Sequence, residues 1–371
     1  MLDIKAMLKL CLFLLFSANL YAEFHVRFEP SEHAMAGDDV ILSGGLTAKK
    51  LHLSPGFELS FGDLVAMPDF YGVVGSPISL GKDAAEREEL FLAAFESIEP
   101  QEAAQILTTI HAEHKLVLEG MERGQLPKDI YGPMHEQQNI LWNCLTGGAC
   151  SGFAWWLTPG RYLLLAEKDY DHFGDHALIT YMTGHRLALA TAKAGELERA
   201  YMIEAFAEHF LTDRFSSGHL RAPRVEMPEH VTPGVVGSLL VSFMHDEESA
   251  YGLHVYNQLG DHWIAYGDQY YLDPRNQDNR VIMQKAMQLS VDEVSDAYFK
   301  RQDQFSHPQL DLIPIPSTLG NDLGQDIAPM FYWDSQNEQL MRRENLADPY
   351  DFHWTSDWYG WSTLALLKTL K

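Results

Sequence analysis

Apolar residues recur at steps of three and four along much of this chain, the spacing that places them on one face of an α-helix. The first such stretch follows Asp83, and acidic residues open it, as is typical of a helix N-terminus. The fold class predicted by this pattern is mainly α. The predicted helices cover 84–98, 99–124, 134–142, 169–195, 197–215, 234–249, 284–302 and 362–370.

The segments between these helices have other patterns. Residues 23–82 are punctuated by Gly and Pro, which predicts loops with short helical or extended pieces. Residues 252–273 alternate between apolar and polar and predict a small hairpin. The tail from Phe305 is rich in Pro and aromatic residues and is predicted to be mostly loop. This organisation predicts a loop-rich N-terminal segment, a helical core at 83–250 and a C-terminal extension at 251–371.

The first 22 residues have the pattern of a secretory signal peptide. Lys5 and Lys9 form a basic start, and Leu10–Phe16 is an apolar run too short to span a bilayer. Small residues ending at Ala22 form a cleavage site. We therefore expect an exported soluble protein, periplasmic or extracellular.

Charge limits the partners of the mature chain. The full sequence has 27 Lys and Arg against 52 Asp and Glu, and residues 1–22 hold two of the former and one of the latter. The remainder therefore carries 25 basic and 51 acidic side chains, a net charge of −26. Such a field repels nucleic acid and anionic membranes, tolerates zwitterionic substrates and attracts cations.

Two cysteines remain after cleavage, Cys144 and Cys150, in the sequence NCLTGGAC. In an oxidising compartment this pair predicts a short disulfide loop. A pair of zinc ligands is the alternative, but no histidine adjoins the two cysteines.

The segment EAFAEHFLTDRFSSGHLRAPR holds His209, Asp213 and His219. On a helix, a step of four residues places His209 and Asp213 on the same face. The residues after Phe215 end the helix and allow the chain to turn His219 toward the same point. Imidazole and carboxylate groups that converge in this way suit zinc or a similar divalent metal. The alternative is a surface His–Asp pair beside an unrelated histidine.

Further candidate ligands lie elsewhere in the chain. His172 stands at the start of the preceding helix, and His245 is followed by three acidic residues, any of which can be its partner. His185 is predicted to be a packed histidine or one that orients a ligand. The remaining candidates are His33, Asp69 or Asp63, and Asp246, Glu247 or Glu248.

The spacing H-x3-D-x5-H of residues 209–219, preceded by His172-Phe173, resembles the exported zinc-dependent phospholipases C. Their broader superfamily also contains single-strand-specific zinc nucleases. The stretches FEPSEHAMAGDD, GDLVAMPDFYG and MHDEESAYGLHV resemble a bacterial branch of these phospholipases. The resemblance covers most of the mature chain and implies a multi-helix core of that kind.

The resemblance implies two or three zinc ions, bound in part by residues of the N-terminal segment 23–82. It also implies that Asp69 orients or deprotonates the attacking water. The implied ligands are His33, Asp69, His172, His209, Asp213, His219, His245 and Glu248, together with the terminal amine of Glu23. Side chains considered for substrate contact are Tyr71, Trp155 and Trp156 for the headgroup or lipid, and Arg221 and Arg224 for phosphate. For the three aromatic side chains, burial in the core is the alternative.

The chain departs from the family pattern at three places. The family begins with Trp, whereas cleavage after Ala22 leaves Glu23. The family's bridging Asp lies shortly before the upstream His, and this chain has no Asp between Asp129 and Asp169. The family has Glu at the position of Ser249. For the two arginines, pairing with acidic groups of their own protein is the alternative to binding phosphate.

The function implied is a phospholipase C that acts on phosphatidylcholine-type lipids at a membrane surface. It would release diacylglycerol and a phosphorylated headgroup through a metal-activated water. The alternatives are a zinc nuclease or other phosphodiesterase, and a zinc-stabilised lipid-binding protein without activity. A nuclease needs a basic or aromatic groove, which the net charge of −26 disfavours.

Terminal sequencing of the exported protein is expected to begin at Glu23, because the apolar run and the small residues up to Ala22 are recognised and removed as a leader. A chain that begins beyond His33 would contradict the N-terminal ligands.

Overall fold

The computed structural model describes residues 29–48, 50–151, 157–316 and 326–370. The predicted leader, its cleavage site, the Glu23 amine and the pair Trp155 and Trp156 lie outside these residues.

The fold is mainly α, as the periodicity predicts, and all the predicted helices are present. Most ends lie within a few residues of those expected, but the helix predicted at 284–302 begins at Gln277 and the one predicted at 169–195 begins at Gly174. The helices are α1 (Pro30–Asp38), α2 (Phe61–Val65), α3 (Ala84–Glu96), α4 (Pro100–Glu122), α5 (Pro127–Tyr131), α6 (His135–Leu145), α7 (Arg161–Glu167), α8 (Gly174–Ala194), α9 (Leu197–Asp213), α10 (Ser217–Leu220), α11 (Glu226–His230), α12 (Gly234–Tyr251), α13 (Gln277–Phe299) and α14 (Gly360–Leu370). The strands are β1 (Leu51–Ser54), β2 (Phe57–Leu59), β3 (Leu253–Tyr256), β4 (His262–Ala265), β5 (Ile315–Pro316), β6 (Phe331–Asp334), β7 (Gln339–Arg343) and β8 (Trp354–Thr355).

Local chemistry sets several helix ends. The Asp83 side chain accepts a hydrogen bond from the Glu86 amide and caps α3. Gly195 ends α8 in the left-handed conformation, at φ 99°, which glycine adopts without the steric cost of a side chain. The sharp stop at Gly195 lets α9 start at Leu197 and return along α8 as its neighbour.

The α8–α9 pair forms the middle of the main core, and α13 packs against both helices. Almost every residue of α9 is buried. Gly184 of α8 lies so close to α3 and α9 that an added Cβ would approach Ala207 Cβ to 2.6 Å and overlap the Phe91 ring. Because α9 is covered on all sides, each polar side chain it carries must have a partner inside the protein.

The predicted C-terminal extension divides between two cores. The hairpin β3–β4, paired antiparallel as predicted, joins the main core together with β5 and α13. Residues 326–370 instead pack α14 and a three-stranded sheet, β6–β7–β8, against α11 and α12 in a second core. The sequence pattern did not predict this sheet, because its strands have only two to five residues.

Among the described residues, the helices are each too short or too polar to cross a membrane. Cys144 and Cys150 are joined in a disulfide that closes the turn after α6, as predicted. The Asn143 side chain holds this turn by accepting from the Gly160 amide at 2.6 Å and donating to the Ala149 carbonyl at 3.0 Å.

The Cys144–Cys150 crosslink makes a testable contribution to stability. Its closed loop has seven residues, for which the chain-entropy model gives about 2 kcal/mol of stabilisation at 25 °C. The double variant Cys144→Ser/Cys150→Ser is therefore expected to lose roughly this much free energy of unfolding in denaturant titrations. Mass spectrometry without reductant should detect the linked peptide in the unmodified protein, and two free thiols would contradict the pairing.

Candidate metal centre

The motif on α9 lies at the centre of a buried group of histidines and aspartates. His209 and Asp213 are one helical turn apart and have 0% and 1% of their surface exposed. The chain leaves α9 at Asp213 and returns in α10, which carries the buried His219. An added Cβ at Gly218 would lie 2.6 Å from His245 Cδ2, so glycine lets His219 and His245 approach each other.

Three sets of side chains converge here, each with donor atoms within 4.8 Å of one another. The sets are His33, His209 and Asp213; Asp69, His172 and His209; and His219, His245 and Asp268. The structure therefore brings together seven of the eight side-chain ligands predicted from the sequence, from segments that span residues 33 to 245.

Asp213 faces all three sets. Its Oδ2 lies 2.9 Å from His172 Nδ1 and 3.5 Å from His209 Nε2. Its Oδ1 lies 3.7 Å from His33 Nε2 and 3.6 Å from His219 Nδ1. Burial alone would raise the pKa of Asp213, but His209, His172 and His219 outweigh burial and hold it below the usual range. Asp213 is therefore a carboxylate whose two oxygens serve different neighbours.

Backbone and hydroxyl groups fix the orientation of the histidines. His209 Nδ1 lies 2.8 Å from the Val65 carbonyl, and His219 Nδ1 lies 2.8 Å from the His172 carbonyl. A carbonyl only accepts, so these Nδ1 atoms carry the protons and each Nε2 keeps its lone pair. This is the arrangement by which proteins orient metal-binding histidines.

His33 is oriented through a hydroxyl. Thr212 Oγ1 donates to the His209 carbonyl at 2.7 Å, and it therefore accepts the Nδ1 proton of His33, also at 2.7 Å. Burial lowers the pKa of His33 and the pKa of His209. A neutral imidazole with a free lone pair is the form that binds a metal.

His172 is held from both sides by carboxylates. Its Nε2 lies 3.1 Å from Asp169 Oδ1, opposite the Nδ1 that faces Asp213. Burial lowers the pKa of His172, but Asp169 and Asp213 outweigh it and raise the pKa to about 10. Sequence reasoning missed Asp169, although it stands three residues before His172 in DYDH.

Several atoms of the centre have no hydrogen-bond partner. Both carboxylate oxygens of Asp69, His219 Nε2 and His245 Nε2 are buried and make no hydrogen bond. Their nearest charged neighbours lie at ion-pair distances, with His209 Nε2 at 3.5 Å from Asp69 Oδ1. Burial raises the pKa of Asp69 well above its usual range. Buried polar atoms without hydrogen-bond partners cost free energy. A cation in the set of Asp69 and another in the set of His219 and His245 would satisfy them. The donor atoms therefore fit a divalent metal.

Asp268, which sequence reasoning also missed, supplies the acidic group beside His219 and His245. Its Oδ2 lies 3.3 Å from His245 Nε2 and 3.7 Å from His219 Nε2. Burial would raise the pKa of Asp268, but His245 and His219 hold it well below its usual range. The preceding Gly267 packs so tightly on Ser249 that a Cβ would overlap its hydroxyl.

The prediction of Glu248 as the acidic partner of His245 needs correction. Glu248 is buried and accepts from Arg221 Nε at 2.6 Å, while Asp268 takes the position beside the histidines. Of the other two acidic candidates, Asp246 lies 3.3 Å from His245 Nδ1, on the opposite side of the ring from Asp268, and Glu247 pairs with Arg343.

Other predicted residues lie apart from the ligand sets. Asp63 caps α2 and pairs with His111 at 2.6 Å. Of the two candidates Asp63 and Asp69, it is therefore Asp69 that belongs to a ligand set. Arg221 also donates to the Ile327 carbonyl, and Arg224 donates to the Ala166 carbonyl. Arg221 thus pairs with an acidic group of its own protein, the alternative that the sequence left open, whereas Arg224 bonds to backbone carbonyls.

Two cavities border the centre. One has Glu29, Glu32, His33 and Asp268 among its lining residues. The other is lined by Tyr71, Asp169 and His172 among others. The Tyr71 ring is buried, and the Arg161 guanidinium lies 4.5 Å from its centroid. Arg161 therefore covers a face of the ring that was predicted to contact the headgroup.

Comparisons of this chain with protein-family models, with curated proteins and with solved structures found no match. Its function is therefore inferred from the side chains of this centre and from the cavities beside it.

Proposed function

We propose that this protein is an exported zinc-dependent phospholipase C that hydrolyses phosphatidylcholine-type lipids to diacylglycerol and a phosphorylated headgroup. The observation that carries the proposal is the position of Asp213 among three adjoining His and Asp sets. Adjoining sites for divalent ions are the arrangement that hydrolysis of phosphate esters uses.

Zinc fits the chemistry of the donors better than other common metals. The three sets contain only imidazole nitrogens and carboxylate oxygens, and each set has two histidines. Magnesium and calcium prefer sites made entirely of oxygen, and copper(I) and iron–sulfur clusters prefer thiolates. Imidazole with carboxylate is the set that zinc prefers outside cysteine sites.

Asp69 is proposed to act on the attacking water. When bound, the metal ions supply charge neutralisation for the phosphate and activation of that water. Neither oxygen of Asp69 accepts a hydrogen bond, so one can bind a metal ion while the other accepts a proton from the water. The water oxygen bonds to phosphorus, the bond from phosphorus to the glycerol oxygen breaks, and that oxygen leaves with a proton as diacylglycerol.

The cavity beside His33 favours a cationic headgroup. Glu29 and Glu32 line it at 2% and 8% exposure. Glu32 accepts from the amides of Gln269 and Tyr271 at 2.9 and 3.0 Å, which fixes both of its oxygens. Burial and the neighbouring carboxylates raise the pKa of Glu29 and of Glu32 well above the usual range. A positive group such as choline would favour their ionised forms, and the net charge of −26 also attracts such a group.

Substitution of the proposed ligands should remove both metal and activity. Asp213→Asn, His209→Ala and His219→Ala are expected to lower metal content and to bring hydrolysis below detection, because each leaves an incomplete ligand set. Asp169→Asn should cost about 10–100-fold in metal affinity or activity, because it orients His172. Metal analysis and a diacylglycerol assay on the same preparations measure both effects.

A matched pair of variants tests the acidic ligand beside His245. Asp268→Asn is expected to lose about one metal equivalent per chain, because Asp268 completes the third set. Glu248→Gln should keep its metal, since Glu248 bonds to Arg221. The reverse outcome would restore Glu248 as the ligand, and near-normal activity of Asp213→Asn would exclude the centre itself.

The substrate proposal is tested with phosphatidylcholine, phosphatidylglycerol and single-stranded DNA. We expect release of diacylglycerol and phosphocholine from the first, loss of activity with a chelator and recovery with zinc. Glu32→Gln should narrow the preference for phosphatidylcholine over phosphatidylglycerol, because it removes a negative group from the cavity. Rapid cleavage of DNA without diacylglycerol release would favour a nuclease, and bound zinc without any turnover would favour a lipid-binding protein.

A further inference from the structure

We propose that the chain binds a further divalent metal ion at a second, structural centre formed by His185, Glu293, His307 and Gln309. This centre joins α8 and α13 to the segment that follows α13. His185 lies eleven residues after Gly174, the start of α8 next to His172, which corresponds to about 16 Å along the helix. The two centres are therefore separate.

Three donor atoms already converge at this place. His185 Nε2 lies 3.0 Å from Glu293 Oε2, and His307 Nδ1 lies 2.8 Å from the same oxygen. Ligand atoms about 2.0–2.2 Å from a tetrahedral zinc are separated by roughly 3.3 Å, so a small expansion of this set would accommodate the ion. The same distances also fit hydrogen bonds, and the surrounding groups distinguish the two interpretations.

The surroundings of His185 are those of a metal-binding histidine. Its Nδ1 lies 2.9 Å from Glu204 Oε2, on the side of the ring away from Glu293. Ser290 Oγ in turn donates to Glu204. A carboxylate that holds the far nitrogen of an imidazole, and is itself hydrogen-bonded, fixes the tautomer that leaves Nε2 free to bind.

His307 adopts an unusual backbone conformation that serves Glu293. Its φ is +52°, a left-handed value that is uncommon for a residue with a side chain. In this conformation the His307 amide donates to Glu293 Oε1 at 2.9 Å while its ring faces Oε2. One oxygen of Glu293 is thus held by the backbone, and the other is left for a ligand role.

Gln309 provides the fourth donor. It is fully buried, and its Oε1 has no hydrogen-bond partner. Its Nε2 lies 3.3 Å from Glu293 Oε2 and 3.4 Å from His185 Nε2, which are the separations of neighbouring ligands. Amide oxygen and nitrogen have nearly the same shape, so a half-turn of the amide brings Oε1 to the metal.

Charge in this region also calls for a cation. Glu208 follows Glu204 by one turn of α9, is fully buried, and has no partner for either oxygen. Three carboxylates, those of Glu204, Glu208 and Glu293, thus accompany the two histidines. Buried carboxylates need compensating positive charge, and a divalent ion supplies it. The His307 side chain is 25% exposed, which gives the ion a route from solvent.

Metal stoichiometry of the full mature chain tests the proposal. Zinc or cobalt is titrated into Asp213→Asn, which disables the first centre, and into Asp213→Asn/His307→Gln. The first variant is expected to bind at least one tight equivalent that the second lacks. Substitution of the exposed His262 by Gln in the same background is the matched control and should change nothing.

Two further measurements keep the test decisive. Glu293→Gln in the otherwise native chain should bind one metal equivalent fewer than the unmodified protein. Metal bound at the second centre is expected to raise the Tm of Asp213→Asn, and Glu293→Gln should lack this contribution. Cobalt bound to Asp213→Asn should show the visible absorption of a tetrahedral site. Equal metal content with and without His307 and Glu293 would show that the cluster is only a buried ion-pair network. Because the readout is metal content and not activity, this outcome is independent of the proposed hydrolysis.

Discussion

The buried carboxylate of Asp213 is the group on which the arrangement of the centre depends. Its two oxygens face different histidines, so a single side chain joins the three ligand sets. A carboxylate at 1% exposure persists only if charge and hydrogen bonds compensate its loss of water. The histidines supply that compensation within the protein, whereas Asp69 accepts no hydrogen bond from the described residues.

Helix α9 carries two polar stripes inside an otherwise apolar core. His209 and Asp213 form one stripe, and Glu204 and Glu208 form another, each with a spacing of four residues. The stripes face different neighbours because consecutive residues on a helix are rotated by about 100°. His209 and Asp213 lie close to His33, Asp69 and His172, whereas Glu204 contacts His185 of α8. A fully buried helix thus provides a wall for both proposed centres.

The sequence predicted what local spacing determines. The helices followed from apolar periodicity, and His209 with Asp213 followed from one helical turn. His219 was predictable because it follows α9 after only a short break, so the chain can turn it back toward Asp213. Asp268 was not, since tertiary contacts bring it to His245: Gly267 packs against Ser249, and Ser216 Oγ donates to Asp268 Oδ1 at 2.8 Å. An acidic residue immediately after His245 was the nearest choice in sequence, whereas tertiary packing places Glu248 on Arg221.

The second core and the choice between Asp63 and Asp69 also could not be predicted from local spacing. Asp63 and Asp69 are six residues apart and equally plausible from sequence, but capping of α2 occupies Asp63. The sheet β6–β8 escaped prediction because its strands are short and become stable only against α12 and α14. Contacts between residues far apart in sequence contribute to both cases, since His111 also pairs with Asp63, and the periodicity of one segment does not reveal such contacts.

The most direct test of the central claim is anomalous diffraction at the zinc absorption edge, from crystals of the mature protein purified without chelators. Anomalous peaks are expected next to Asp213, within about 2.0–2.2 Å of donor atoms from its ligand sets, with Asp69 in contact with one of them. Crystals that contain zinc elsewhere, or none, while Asp69 and His219 bond only to protein or water, would contradict the claim.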